Sequence, residues 1–167
     1  MARDFPELID PWRMIDMRRE FGGTLPVSRL KRLQSMLADS SGQLAFDLSF
    51  RRDTLDRALI DVTVSGQVQM VCQRSLEPFA VTVAVDNVLA LYRHESEERG
   101  AECEYDPILV SDGQISIAEL IEDEVMLALP LVPKNPQHAV IEPEVDEQEP
   151  EPTQPNPFAV LQQLKDS

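Results

Sequence analysis

The chain has 167 residues, with 15 Lys+Arg against 30 Asp+Glu, 2 His, 2 Cys and 13 Pro, and 43% of its residues are hydrophobic. That length and apolar content predict one domain with its own core and exclude a wholly disordered chain, and the longest apolar run, Val125 to Pro133 broken by Pro130, is too short to span a membrane as a helix. The charge is lopsided: residues 1–79 hold 11 basic and 11 acidic residues, residues 80–167 hold 4 and 19, so the second half repels nucleic acid and attracts basic partners.

Taken in order, residues 1–25 read as an irregular arm with short ordered pieces, in which Pro6, Pro11, Gly22 and Gly23 break any long helix. Pro26 opens a helix whose apolar stripe is Val27, Leu30, Leu33 and Leu37, and Asp39 to Gly42 ends it. The middle is β. Leu44, Phe46, Leu48 and Phe50 alternate with polar or small residues, and Ile60 to Cys72 alternates likewise, with Gly66 marking a bulge or bend. Phe79, Val81, Val83 and Val85 form a third strand, which Val88 to Tyr92 continues or pairs again. His94 to Asp106 is an acidic exposed loop, and short strands at Pro107–Val110 and Gln114–Ser116 flank an Asp112-Gly113 turn. Ser116 with Glu119 is a capping box for a second helix, which Pro130 stops. Its core face is Ile117, Leu120, Ile121, Val125 and Leu129, and its water face is Glu119, Glu122, Asp123 and Glu124.

The expected fold class is α+β: an antiparallel β-sheet curled toward a barrel with two main helices, in one domain over residues 1–133. Phe46, Phe50, Val64, Val83, Leu120 and Leu129 are its predicted core. Residues 134–167 form a disordered acidic tail. Seven of the 13 prolines lie between Pro133 and Pro157, and Glu142 to Glu151 holds six acids and no base. The tail ends in a short amphipathic motif, Phe158, Leu161 and Leu164, read as a partner-binding segment or as a helix docking back on its own domain.

No catalytic set is recognisable: no serine lies in a nucleophile-elbow context, neither His in a known motif, and no glycine-rich loop cradles phosphate. Glu119, Glu122, Asp123 and Glu124 suit a solvated helix face better than a divalent-ion site, so the protein is not read as an enzyme. Cys72, Cys103, His94 and His138 lack the paired spacing of a zinc site, so neither metal nor other cofactor is expected. For RNA, the candidate basic residues are Arg13, Arg18, Arg19, Arg29, Lys31 and Arg32, with Arg74 at a strand turn. Asp10, Asp16 and Glu20 offset them, and 5% aromatic content argues against a base-stacking platform. The opening MARDFPELID lacks the apolar core of a secretory signal and the two cysteines form no disulfide framework, so a soluble cytoplasmic protein is expected.

Three segments resemble the YceD family of large ribosomal RNA subunit accumulation proteins. They are Cys72-Gln73-Arg74-Ser75-Leu76-Glu77-Pro78-Phe79, like the family's C-x-R-C-L-x-P-F; Ile121 to Pro133, like its E-D-E-hydrophobic-L-A-L-P-hydrophobic-hydrophobic-P; and Pro155-Asn156-Pro157-Phe158-Ala159-Val160-Leu161, like its P-N-P-F-A-x-L end. Ser75 stands where the family has its second cysteine, and no later cysteine follows the Leu-Pro-Leu-Val-Pro run, which argues against a metal role here. The resemblance implies a bacterial cytoplasmic protein needed for accumulation or processing of large-subunit (23S) ribosomal RNA. Its implied partner is that RNA or the assembling large subunit, with no membrane and no small-molecule substrate. The acidic balance supports a different reading, a chaperone-like module that shields a basic ribosomal protein or assembly partner.

Overall fold

The computed structural model describes residues 5–94 and 105–137. Contacts divide the chain into Met1–Pro136 and Gln137–Ser167, and the architecture below is that of the first unit. In order it contains β1 (Leu8–Ile9), α1 (Pro11–Asp16), β2 (Glu20–Pro26), a 3-10 turn (Val27–Arg29), α2 (Lys31–Gln34), β3 (Gln43–Arg52), β4 (Ala58–Val71), β5 (Pro78–Tyr92), β6 (Asp106–Leu109), β7 (Ile115–Ser116) and α3 (Ile117–Ala128).

Period-two alternation in β3, β4 and β5 puts one set of side chains on a buried face and the other in water. Leu44, Phe46, Leu48 and Phe50 are buried, and so are Ile60, Val62, Val64, Val68 and Met70 across the ladder. Strands β2 to β5 form an antiparallel meander, and β6 adds to β5 in parallel, giving the order β2-β3-β4-β5-β6. Among the described residues no pairing joins β2 to β6, so the sheet expected to curl toward a barrel is an open one. Helix α3 packs on β4 and β5 and reaches α2. All six predicted core residues are at most 5% exposed.

Several local readings need correction. The arm has no long helix, as expected, and its short ordered pieces are β1, α1 and β2, the last a seven-residue strand of the main sheet. Asp10 Oδ1 accepts the amides of Trp12 and Arg13 and Pro11 fills the first turn, so α1 forms despite its length. Gly22 and Gly23 do not break β2, because pairing with β3 supplies the backbone bonds that propensity withholds. The helix expected from Pro26 shrinks to the 3-10 turn and the four residues of α2, although its stripe of Val27, Leu30 and Leu33 is buried as expected. Gly66 marks no bulge, since register runs through it on both sides. It is there for close approach: a Cβ would lie 2.9 Å from the Gln43 carbonyl oxygen and 2.8 Å from Leu44 Cδ2. The two strands flanking Asp112-Gly113 do not pair with each other; β6 joins β5 and β7 joins β1.

Phe50 is 1% exposed and meets Phe21 edge-on at 5.9 Å between ring centroids. Phe50→Ala is expected to cost about 3–5 kcal/mol of stability, read by denaturant titration, and a loss below about 1 kcal/mol would contradict this packing.

Candidate functional site

The acids of α3 do not form one solvated face. Ser116 Oγ accepts the Glu119 amide at 3.3 Å, as the capping box predicts. Glu122 and Glu124, however, are buried, at 5% and 7% exposure. Glu122 Oε1 accepts the amides of Arg32 at 2.7 Å and Leu33 at 3.0 Å, and its Oε2 accepts Arg32 Nε at 3.1 Å. Helix α2 begins at Leu30 with no side-chain cap of its own, so a carboxylate from the far helix caps it. Asp123 pairs with Arg32 Nη2 at 2.7 Å, and Glu124 accepts Asn87 Nδ2 from β5 at 3.0 Å. Burial of Glu122 and Glu124 corrects the expected water face at those two positions, because donors distant in sequence compensate their desolvation, while Glu119 and Asp123 are exposed as expected.

The turn between β4 and β5 is the second built feature. Cys72 is fully buried. Its Sγ accepts the Asn135 amide at 3.3 Å, and the Gln73 amide donates to the Pro133 carbonyl at 2.9 Å, so the Leu-Pro-Leu-Val-Pro segment closes over the turn. The Asn135 amide, the Ser75 side chain and the Ser75 and Arg74 amides together pull the thiol down to about 6, against the opposing effect of burial. Among the described residues no group of three His, Cys, Asp or Glu is arranged to hold a metal ion. Cys103 and His138 lie outside the described residues.

The candidate basic residues fall into separate places. Arg13 and Arg19 line one groove with Leu8, Met14, Met17 and Phe21. Arg18, exposed and in the left-handed region at φ 48°, turns the chain between α1 and β2. Arg29 and Lys31 line a second groove beside Arg32, with Glu7 and Glu119 on its rim. Arg32 serves the fold through Glu122 and Asp123, and Arg74 Nη2 reaches the Asn135 carbonyl at 3.4 Å. Phe158, Leu161 and Leu164 lie outside the described residues.

A further basic cleft was not foreseen. Trp12, Arg52, Asp56, Arg57, Tyr92 and Arg93 line an opening of about 260 Å³ at the end of the β3–β4 hairpin. The Arg93 guanidinium stacks 4.2 Å from the Trp12 ring centroid, and Arg57 lies 5.0 Å from that of Tyr105. Arg52 also reaches Asp16 at 3.5 Å and Asp56 at 3.6 Å. The lining residues come from three separated segments, so only the isolated Trp12 hinted at the cleft in sequence. Guanidinium and aromatic planes are surfaces on which an unpaired base can stack.

Comparison with known proteins places these features in context. A family model described as "Large ribosomal RNA subunit accumulation protein YceD" matches residues 60–165. A Haemophilus influenzae protein of the same description is 30% identical over 169 residues, covering 96% of this chain and 95% of its own. No solved structure matches. No helix among the described residues is long and apolar enough to cross a membrane.

Two outcomes follow from this geometry. Glu122→Ala strands the amides of Arg32 and Leu33 in a buried place and is expected to cost about 2–3 kcal/mol in denaturant titrations, with Glu122→Gln milder because an acceptor remains. For Cys72, a thiol lowered by folding adds stability above its unfolded pKa of about 8.5, and that contribution is lost as pH falls through about 6. Ultraviolet thiolate absorbance is expected to show a step near the lower value. Cys72→Ala is expected to remove that step and flatten the melting temperature between the two pH values.

Proposed function

The chain belongs to the YceD family, and on that premise we propose that it supports the accumulation or processing of large-subunit (23S) ribosomal RNA as a non-catalytic assembly factor in the cytoplasm. The observation that carries this reading is similarity along 96% of the chain to a protein named for that role. A binding role suits the site chemistry. The acids a metal-dependent nuclease would need are committed elsewhere: Glu122 to the α2 amides, Asp123 to Arg32, Glu124 to Asn87. RNA contact is assigned to Arg13, Arg18, Arg19, Arg29 and Lys31 and to the Trp12–Arg93 cleft, with Arg32 and Arg74 adding charge from within the fold.

A second reading, a module for a basic ribosomal protein or assembly partner, is favoured by the acidic side of the molecule. Residues 105–133, which supply β6, β7 and α3, contain six acids and no base. Phe158, Leu161 and Leu164, beyond the acidic run, are proposed as an anchor for the same class of partner.

The test is a titration of the full chain against large-subunit ribosomal RNA fragments at two salt concentrations. The expected result is micromolar or tighter binding that weakens as salt rises, and further weakening on Arg93→Glu. Absence of binding near micromolar would overturn direct RNA contact and leave the protein-partner reading.

A further inference from the structure

We propose that the open edge of β5 accepts an extended, Lys/Arg-rich polypeptide segment as an additional strand. The assignment rests on the second reading above and names its site.

Strand β4 pairs with β5 from Pro78 to Ala90, whereas β6 joins the other side only over Leu89 to Tyr92. Among the described residues, the stretch from Pro78 to Val88 therefore has a strand on one side only. The direction of its backbone groups follows from the turn. The Cys72 amide donates to the Glu77 carbonyl at 2.9 Å, which makes 72 and 77 a hydrogen-bonded pair. Such pairs recur every second residue, so the amides and carbonyls of Phe79, Val81, Val83 and Val85 face β4. Those of Ala80, Thr82, Ala84 and Asp86 face outward. The other end of the strand has the same parity, since the Tyr92 carbonyl accepts the Val110 amide at 2.8 Å.

An edge of this kind invites pairing unless it is protected. Among the described residues most of the usual protections are missing: β5 has no lysine, no bulge, no glycine and no proline after Pro78, and its one charged residue is Asp86. The opposite edge, β2, is half as long, carries Gly22-Gly23, ends in Pro26 and has Arg19 at its start. On the inner side of β5, Phe79, Val81 and Val85 are only half-buried, and alternate apolar side chains of an added strand would cover them.

Charge selects the occupant. No Lys or Arg occurs from residue 75 to residue 92 or from 105 to 133. Glu77 and Asp86 lie on or beside the strand, and Asp106 accepts Asn87 Nδ2 at 2.9 Å at the point where β6 takes over. This edge repels a phosphate backbone and favours a polypeptide that alternates apolar and basic residues.

The experiment uses the full 167-residue chain and a fluorescent peptide of about ten residues alternating Lys and Val, the length of a long strand. Binding is followed by anisotropy and amide exchange by NMR. The expected result is binding, with new protection at Ala80, Thr82, Ala84 and Asp86. Methylating alternate peptide amides is expected to weaken it about tenfold or more, with the protein untouched. Ala84→Pro removes an outward amide without touching the β4 ladder and is expected to do the same. Binding that ignores peptide methylation, or that leaves those four amides unprotected, would overturn the edge while sparing the acidic-module reading. Failure of the unmethylated peptide to bind would overturn both. Protection of the same amides by an RNA oligonucleotide would overturn the polypeptide assignment.

Discussion

A single buried carboxylate ties the long helix α3 to the short helix α2. Glu122 comes from α3 and binds two amides of α2 and one guanidinium nitrogen, across about ninety positions of sequence. A carboxylate at 5% exposure is costly to desolvate unless donors surround it. Here the donors are the orphan amides at the start of a helix too short to persist alone. Each side therefore satisfies the other: α2 exists because α3 caps it, and Glu122 is tolerated because α2 supplies its donors.

The same helix is tied to the sheet on its other side. Glu124 accepts from Asn87 on β5, and Leu120, Ile121, Val125 and Leu129 fill the space over β4 and β5. Beyond Pro130 the chain closes over the β4–β5 turn, where Pro133 and Asn135 meet Gln73 and Cys72. Two of the three segments that carry the family resemblance thus touch each other. They also leave Leu76, Leu127, Leu131 and Val132 exposed.

Those surfaces are divided by charge. The arginines of the N-terminal region, the β3–β4 hairpin and the end of β5 lie with Trp12 in grooves suited to a phosphate backbone or a stacked base. The segments 75–92 and 105–133, which supply most of β5 and all of β6 and α3, contribute acids and no base, although Arg29, Lys31 and Arg32 lie against α3. This division underlies the two partners proposed above, RNA on one side and a cationic polypeptide on the other.

What the sequence determined by itself was what depends on near neighbours. The alternation at Leu44–Phe50 and Ile60–Met70 specifies strands and their buried face, and Ser116 with Glu119 specifies where the long helix starts, because both signals act within a few residues. Tertiary structure alone decided the rest. It made a strand of the glycine-containing segment 20–26, since a ladder with β3 outweighs local propensity. It separated the strands flanking Asp112-Gly113, because β5 and β1 were better partners than each other. It buried Glu122 and Glu124 against donors that no window of sequence contains, and it drew Trp12, Arg52, Arg57 and Arg93 into one cleft from three segments. Periodicity is a property of the chain, whereas the partner of a hydrogen bond or a charge is a property of the fold.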